Sequence, residues 1–287
     1  QTQAPRNIAD SIYTFILYGI FAEQSIAKLF IAAIIPGLLS LVAYLLVIYI
    51  WVRMRPDDAP VPDEVITRAA RMKALRDCWA IIVLFVVVVG GIYVGLFTPT
   101  EAAGIGAAAT LILGVVLGRL NLGGIFAALK ESVYQSSMIF VIAIGGKLFV
   151  NFIALTGMAG DITTWIETSG VSVVAVMALI VLLYIFLGMF LDPIGIILLT
   201  LPLTIPIVET FGFSLIWFGV VVIKLLEIGL VTPPIGLNVF VIKSIVKDKI
   251  SLESIFAGVG FFLLAEIFVL AAILFIPALS LFLTAFV

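Results

Sequence analysis

The sequence predicts an all-α polytopic membrane protein, and three observations carry that reading. Of its 287 residues 64% are hydrophobic, with a mean hydropathy of +1.35. Only 11% are charged, where a soluble domain carries about 25%. The apolar residues fall in long continuous runs rather than in the short alternating segments of a membrane β-barrel. A net charge of −2 and a pI near 5.2 give no basis for a nucleic-acid partner. The chain has no histidine, which argues against a typical zinc or haem site. The single cysteine, Cys78, excludes an internal disulfide and reads as an ordinary buried thiol where a helix enters the membrane.

Taken in order, residues 1–10 are polar and resemble neither a signal sequence nor a helix. The apolar piece Ile12–Phe21 is too short to span and reads as the second arm of a hairpin, so the chain is expected to be a fragment of something longer. Ala27–Val52 is the first clear span, with Tyr44, Tyr49 and Trp51 as interfacial aromatics. Arg53–Asp77 is the only long polar segment. Its Arg53, Arg55, Arg68, Arg71, Lys73 and Arg76 place it on the cytoplasmic side, and a surface helix capped by Asp63 is expected over Asp63–Asp77. Trp79–Phe97 spans outward. Thr98-Pro99-Thr100-Glu101 breaks the chain, with Thr100 the expected N-cap and Glu101 suited to the new helix dipole. Ala102–Leu117 returns, rich in small residues that allow close helix packing in lipid.

Leu122–Gln135 reads as an interfacial helix with Lys130 and Glu131 on its wet side. Ser136–Glu167 reads as a re-entrant hairpin turning at Leu155–Asp161, or else as a full span with a polar kink; it carries Lys147 and Asn151. Val171–Pro206 is too long for one straight span and is interrupted around Gly188–Gly195, with Asp192 before Pro193. A second hairpin follows, with arms Trp217–Ile228 and Leu237–Val246, each shorter than the roughly 20 residues a bilayer crossing needs. Between them lies Gly229-Leu230-Val231-Thr232-Pro233-Pro234-Ile235-Gly236. Two successive prolines remove two N–H donors, so no helix runs through. Backbone freed in this way is tolerated in lipid only where it is buried in protein or lines a cavity. A last span runs from near Gly258 to Leu281 and contains Glu266. Paired hairpins flanking a broken helix are the pattern of transporter binding sites near the midplane.

Oxygen ligands suit a hard monovalent cation. Gly188, Asp192, Gly229, Val231 and Thr232 are therefore candidate Na+ ligands, Na+ being the coupling ion expected. Asp192 has a second reading, as N-cap of the helix beginning at Pro193, and the Thr232 region a second reading as a helix breaker. Lys147, Asn151, Pro233, Pro234 and Asn238 are candidate substrate contacts, with an acid partner as the other reading of Lys147. Lys224 and Glu227, three apart on one face, are expected to pair. An intramembrane aspartyl protease would need a second aspartate facing Asp192, and none is in reach. The chain is not expected to be an enzyme.

Three motifs resemble one family. Glu227-Ile228-Gly229-Leu230-Val231-Thr232-Pro233-Pro234-Ile235-Gly236-Leu237-Asn238 is similar to the signature of the large membrane subunit of TRAP transporters, the DctM-like family. Gly91-Ile92-Tyr93-Val94-Gly95-Leu96-Phe97-Thr98-Pro99-Thr100-Glu101-Ala102 resembles a second family motif. The stretch Tyr18–Phe30, running on to Ile35–Leu39, resembles the segment joining the family's two halves. The resemblance covers nearly the whole chain from about Ser11. It implies a sodium-coupled importer of organic acids (dicarboxylates, sialic acid or sugar acids) in the bacterial inner membrane. It also implies a periplasmic substrate-binding protein and a small membrane subunit as partners, and an elevator mechanism. A different ion-coupled transporter or channel subunit with re-entrant hairpins and no binding protein is the alternative.

The family's large subunit has inverted repeats, and this chain corresponds to the second repeat plus a joint. Where a first hairpin tip is expected, the sequence reads Asn7-Ile8-Ala9-Asp10. The remaining N-terminal half of the subunit is thus a further expected partner. On this reading residues 1–26 end a preceding hairpin arm, 27–130 are scaffold helices with the 53–77 loop, 131–250 form the transport repeat, and 251–287 form a C-terminal transmembrane helix.

Overall fold

The computed structural model describes residues 6–56, 67–247 and 250–286. Among these the structure is helical, without strands. Among the described residues five helices are long and apolar enough to cross a membrane: Ile26–Met54 taken as one, Pro99–Val116, Leu122–Thr156, Pro193–Thr210 and Leu252–Phe275. A multi-pass helical membrane protein is the architecture that length and composition define. The chain divides into two compact units, one formed by Arg55–Val141 and the other by the residues before and after it.

In the smaller unit, α4 (Arg68–Asp77) and α5 (Trp79–Tyr93) precede α6 (Pro99–Val116). The Asp63 cap lies outside the described residues; Thr67 Oγ1 accepts the Ala70 N–H at 3.3 Å at the described start of α4. Cys78 is exposed rather than buried, because it sits at the N-cap of α5 next to the polar α4. The cap of α6 is Thr98, not Thr100. Thr98 Oγ1 accepts the Glu101 N–H at 3.3 Å while Glu101 Oε2 accepts the Thr98 N–H at 2.9 Å, a reciprocal box with Pro99 in the first helical position.

The larger unit is built around α11 (Leu215–Val231). Apart from Lys224 and Glu227 this helix is apolar all round, and a helix of that kind belongs inside a bundle. Trp217–Leu226, Ile228 and Gly229 are buried. Around it pack α1 (Arg6–Phe21), α2 (Ile26–Ala32), α9 (Val173–Gly188), α10 (Pro193–Thr210), α13 (Leu252–Phe275) and α14 (Ala278–Leu281). Helix α1 begins at Arg6, so the polar run before Ile12 is partly helical, contrary to expectation. It docks through Tyr18, whose hydroxyl donates to the Leu215 carbonyl at 2.7 Å. The first span is two pieces, α2 and α3 (Ile34–Met54), stepping at Ala33.

Two further corrections concern length. The expected interfacial helix and the first arm of the following hairpin are one helix, α7 (Leu122–Thr156). Its polar middle does not break it: Ser132 and Ser137 turn their hydroxyls back onto the Ala128 and Val133 carbonyls. The turn after it is a single left-handed residue, Gly157, and α8 (Met158–Ser169) starts at once, placing Asp161 in a helix rather than a loop. The last span begins earlier than expected, at Leu252, and ends at Phe275, before Pro277. Pro202 and Pro206 lie within α10, and around them Thr204 and Thr210 hydroxyls bond back to the Thr200 and Pro206 carbonyls.

Candidate functional site

The two predicted breaks are present, and they meet. Helix α9 stops at Gly188, the chain turns through Met189–Leu191, and Asp192 caps α10 by accepting the Ile194 N–H at 3.0 Å. Pro193 occupies the first helical position, where its missing N–H costs nothing. The N-cap reading of Asp192 is therefore realised, and its carboxylate is exposed.

Helix α11 ends at Val231. Thr232 closes it: its N–H reaches the Ile228 and Gly229 carbonyls at 3.1 Å, and its Oγ1 donates to the Ile228 carbonyl at 2.6 Å. The chain passes through Pro233 and Pro234, joined by a cis bond, to Gly236, whose φ of +56° is one that residues with side chains rarely adopt and where a Cβ would meet the Phe256 ring at 2.9 Å. Helix α12 (Leu237–Val246) then begins, with Asn238 in its first turn.

Gly188 and Gly229 touch backbone to backbone. A Cβ on Gly229 would lie 2.7 Å from the Gly188 Cα, and one on Gly188 2.9 Å from the Gly229 Cα. Only glycine on both sides permits this approach. It brings together the C-terminal ends of α9 and α11. Each end carries carbonyls with no intrahelical donor and about half a unit of negative charge. Thr232 spends its proton on Ile228, so the lone pairs of Oγ1 remain acceptors. Carbonyls and a hydroxyl, with the Asp192 carboxylate four residues on from Gly188, are a donor set that fits a hard, oxygen-ligated cation. Among the described residues there is no cluster of three or more His, Cys, Asp or Glu, so a site here depends on backbone oxygen.

The substrate candidates fall in two places. Pro233, Pro234 and Asn238 lie at the second break, the two prolines exposed. Lys147 lies apart from them, on the wall of a cavity of about 440 Å³ between α1, α7 and α10. Gly146 lets α7 approach α10 there, since a Cβ would meet Leu198 at 2.7 Å. Glu23, held at φ +52°, lines the same cavity. Asn151 is exposed one turn on and does not line it.

Lys224 and Glu227 pair as expected, at 3.0 Å. Sequence reasoning missed the second partner: Lys224 Nζ is also 3.0 Å from Glu266 Oε2 on α13. Equally missed was the buried hydroxyl group of Tyr184, Thr200 and Thr204. There Thr200 Oγ1 lies 2.7 Å from the Tyr184 hydroxyl and Thr204 Oγ1 lies 3.3 Å from it. Polar residues within apolar runs were the available signal in both cases.

Discontinuous apolar helices meeting at a bare backbone contact, in a chain with several membrane-length helices, fit a polytopic helical membrane protein. The chain belongs to the family described as the tripartite ATP-independent periplasmic transporter, DctM component, whose model matches residues 11–279. It is 31% identical over 93% of its length to the C4-dicarboxylate TRAP transporter large permease protein DctM of Pseudomonas aeruginosa. It is 30% identical over 93% to the sialic acid TRAP transporter large permease protein SiaM of Vibrio cholerae. It is 31% identical over 93% to the ectoine/5-hydroxyectoine TRAP transporter large permease protein UehC of Ruegeria pomeroyi. The chain spans about three-fifths of these relatives: 61%, 62% and 62% of their lengths. The family is one of permease subunits, not enzymes.

Proposed function

We propose that the chain is part of the large membrane subunit of a sodium-coupled secondary importer of small organic acids in the bacterial inner membrane. A periplasmic binding protein would deliver the substrate, and a small membrane subunit and the rest of the large subunit would complete the carrier. The observation that carries the cation site is the Gly188–Gly229 contact, which sets the ends of α9 and α11 against each other, with Thr232 and Asp192 the caps that follow them in the chain.

Na+ held by Gly188, Gly229, Val231, Thr232 and Asp192 would neutralise the converging helix ends and tie α11 to α9. The substrate would contact the second break at Pro233, Pro234 and Asn238, with Lys147 and Asn151 offering a charge and an amide to its carboxylate. In this reading α11–α12 and the end of α7 with α8 are re-entrant hairpins of a mobile elevator domain. The relatives named for C4-dicarboxylate and sialic acid support a carboxylate substrate, and the one named for ectoine widens the class to zwitterions.

The test is uptake by the complete subunit with its partner proteins in proteoliposomes. Thr232→Ala combined with Asp192→Ala should abolish the dependence of uptake on external Na+. An unchanged sodium dependence removes these residues from the site. Uptake that proceeds without any binding protein would favour the simpler ion-coupled carrier.

A further inference from the structure

The cavity between α1, α7 and α10 is mostly apolar, lined by Phe21, Val150, Ile197, Leu201 and Ile205. Three kinds of polar group interrupt that lining. Lys147 and Glu23 bring one charge of each sign. Both are exposed, and among the described residues neither side chain makes a hydrogen bond or an ion pair. The two are therefore too far apart to satisfy each other.

The third polar group is backbone. Pro202 and Pro206 stand four apart inside α10, and both line the cavity. Neither has an N–H, so the carbonyls of Leu198 and Pro202 lose their helical donors. Leu198 lines the cavity as well. The missing bonds of α10 thus fall on the face that the cavity occupies.

Glu23 is pinned in place. It sits at φ +52° between α1 and α2, a conformation disfavoured for a residue with a side chain. The Gln24 N–H donates to the Gly19 carbonyl at 2.9 Å, and the Gln24 side-chain amide donates to the Ala22 carbonyl at 3.1 Å. Ser25 then caps α2. Strain of this kind persists only where the surroundings fix it, and here the turn keeps an acid at the cavity wall.

The wall offers one cationic donor, one anionic acceptor and two backbone acceptors around an apolar body. An apolar guest would leave the freed carbonyls and both charges without partners. A dicarboxylate would set its second carboxylate against Glu23, and a diamine its second ammonium against Lys147. A quaternary ammonium has no N–H for the carbonyls. We propose that this cavity is a binding site for compact zwitterions, with the ligand carboxylate on Lys147 and its ammonium on Glu23 and the Leu198 and Pro202 carbonyls. The site includes none of the residues at the two helix breaks. It shares with the importer reading only Lys147 as a carboxylate contact.

The experiment is isothermal titration calorimetry of the full-length subunit at neutral pH in Na+-free buffer. The probes are β-alanine, γ-aminobutyrate and ε-aminocaproate, ω-amino acids of increasing length. At least one should bind, and silence from all three overturns the site. Valerate and butylamine are γ-aminobutyrate with a methyl in place of the ammonium or of the carboxylate. Each should bind about tenfold more weakly or worse, because each lacks one charge-assisted contact; equal binding of either refutes the two-ended recognition. Glu23→Gln and Lys147→Met should each weaken the zwitterion by about the same factor. Glu23→Lys places an ammonium at both ends and should exchange γ-aminobutyrate for glutarate. A Glu23→Lys protein that still prefers γ-aminobutyrate removes Glu23 from the site. The titration needs neither sodium nor transport, so its failure leaves the importer reading standing, and failure of sodium-driven uptake leaves this site standing.

Discussion

Helix α11 is held by opposite means on its two sides. Toward α9 the contact is bare backbone, Gly229 against Gly188, with no side chain to adjust. Toward α13 it is side-chain chemistry, the Lys224–Glu266 pair and the Trp217–Ile273 hydrogen bond. A backbone contact is an all-or-none fit, because packed interiors do not yield by half an ångström without cost. A charged contact between buried groups is conditional, since loss of either partner costs several kcal/mol. The side that cannot give is the one beside the helix breaks; the side that can is the one held by side-chain charge.

Substitutions separate the two sides. Lys224→Met strips the counter-ion from Glu266 and should have the largest effect, a loss of about 3–5 kcal/mol in unfolding stability, measured by denaturation in detergent. Much of that loss should return when Glu266→Gln is added, and a double variant as weak as the single one would mean that packing, not charge, holds this face. Gly229→Ala should cost about 1–3 kcal/mol, since the new methyl meets backbone that cannot rotate away. Gly195→Ala is the matched control, because its Cβ meets nothing within 4 Å. Equal losses at the two glycines would contradict the close approach. Trp217→Phe should be smallest, about 1 kcal/mol, reflecting the Ile273 carbonyl left without a donor.

The sequence made the breaks legible because their causes are local. Asp192–Pro193 is a cap followed by a first-turn proline, and Thr232-Pro233-Pro234 removes donors in succession; both ended helices within a few residues of expectation. The Thr98–Glu101 box has a local cause too, since the Thr and Glu stand three apart, the spacing such a box requires, whereas Thr100 directly precedes Glu101. What local chemistry did not reveal was which break meets which. Gly188 and Gly229 are distant in sequence, and neither is unusual alone.

Glu266 likewise gave no hint of Lys224, because pairing across helices depends on rotation and register that composition does not set. The continuity of α7 was hidden for a further reason. Serines near its middle look like helix breakers, yet their hydroxyls are satisfied by carbonyls of the preceding turn.

The most direct measurement is the thermal stability of the full-length subunit in Na+ against the same concentration of K+. Wild type should be stabilised by Na+ alone. Thr232→Ala with Asp192→Ala should lose that difference, while Glu266→Gln should keep it. If the pair at the breaks retains the sodium effect and Glu266→Gln abolishes it, the cation belongs to the other face of α11.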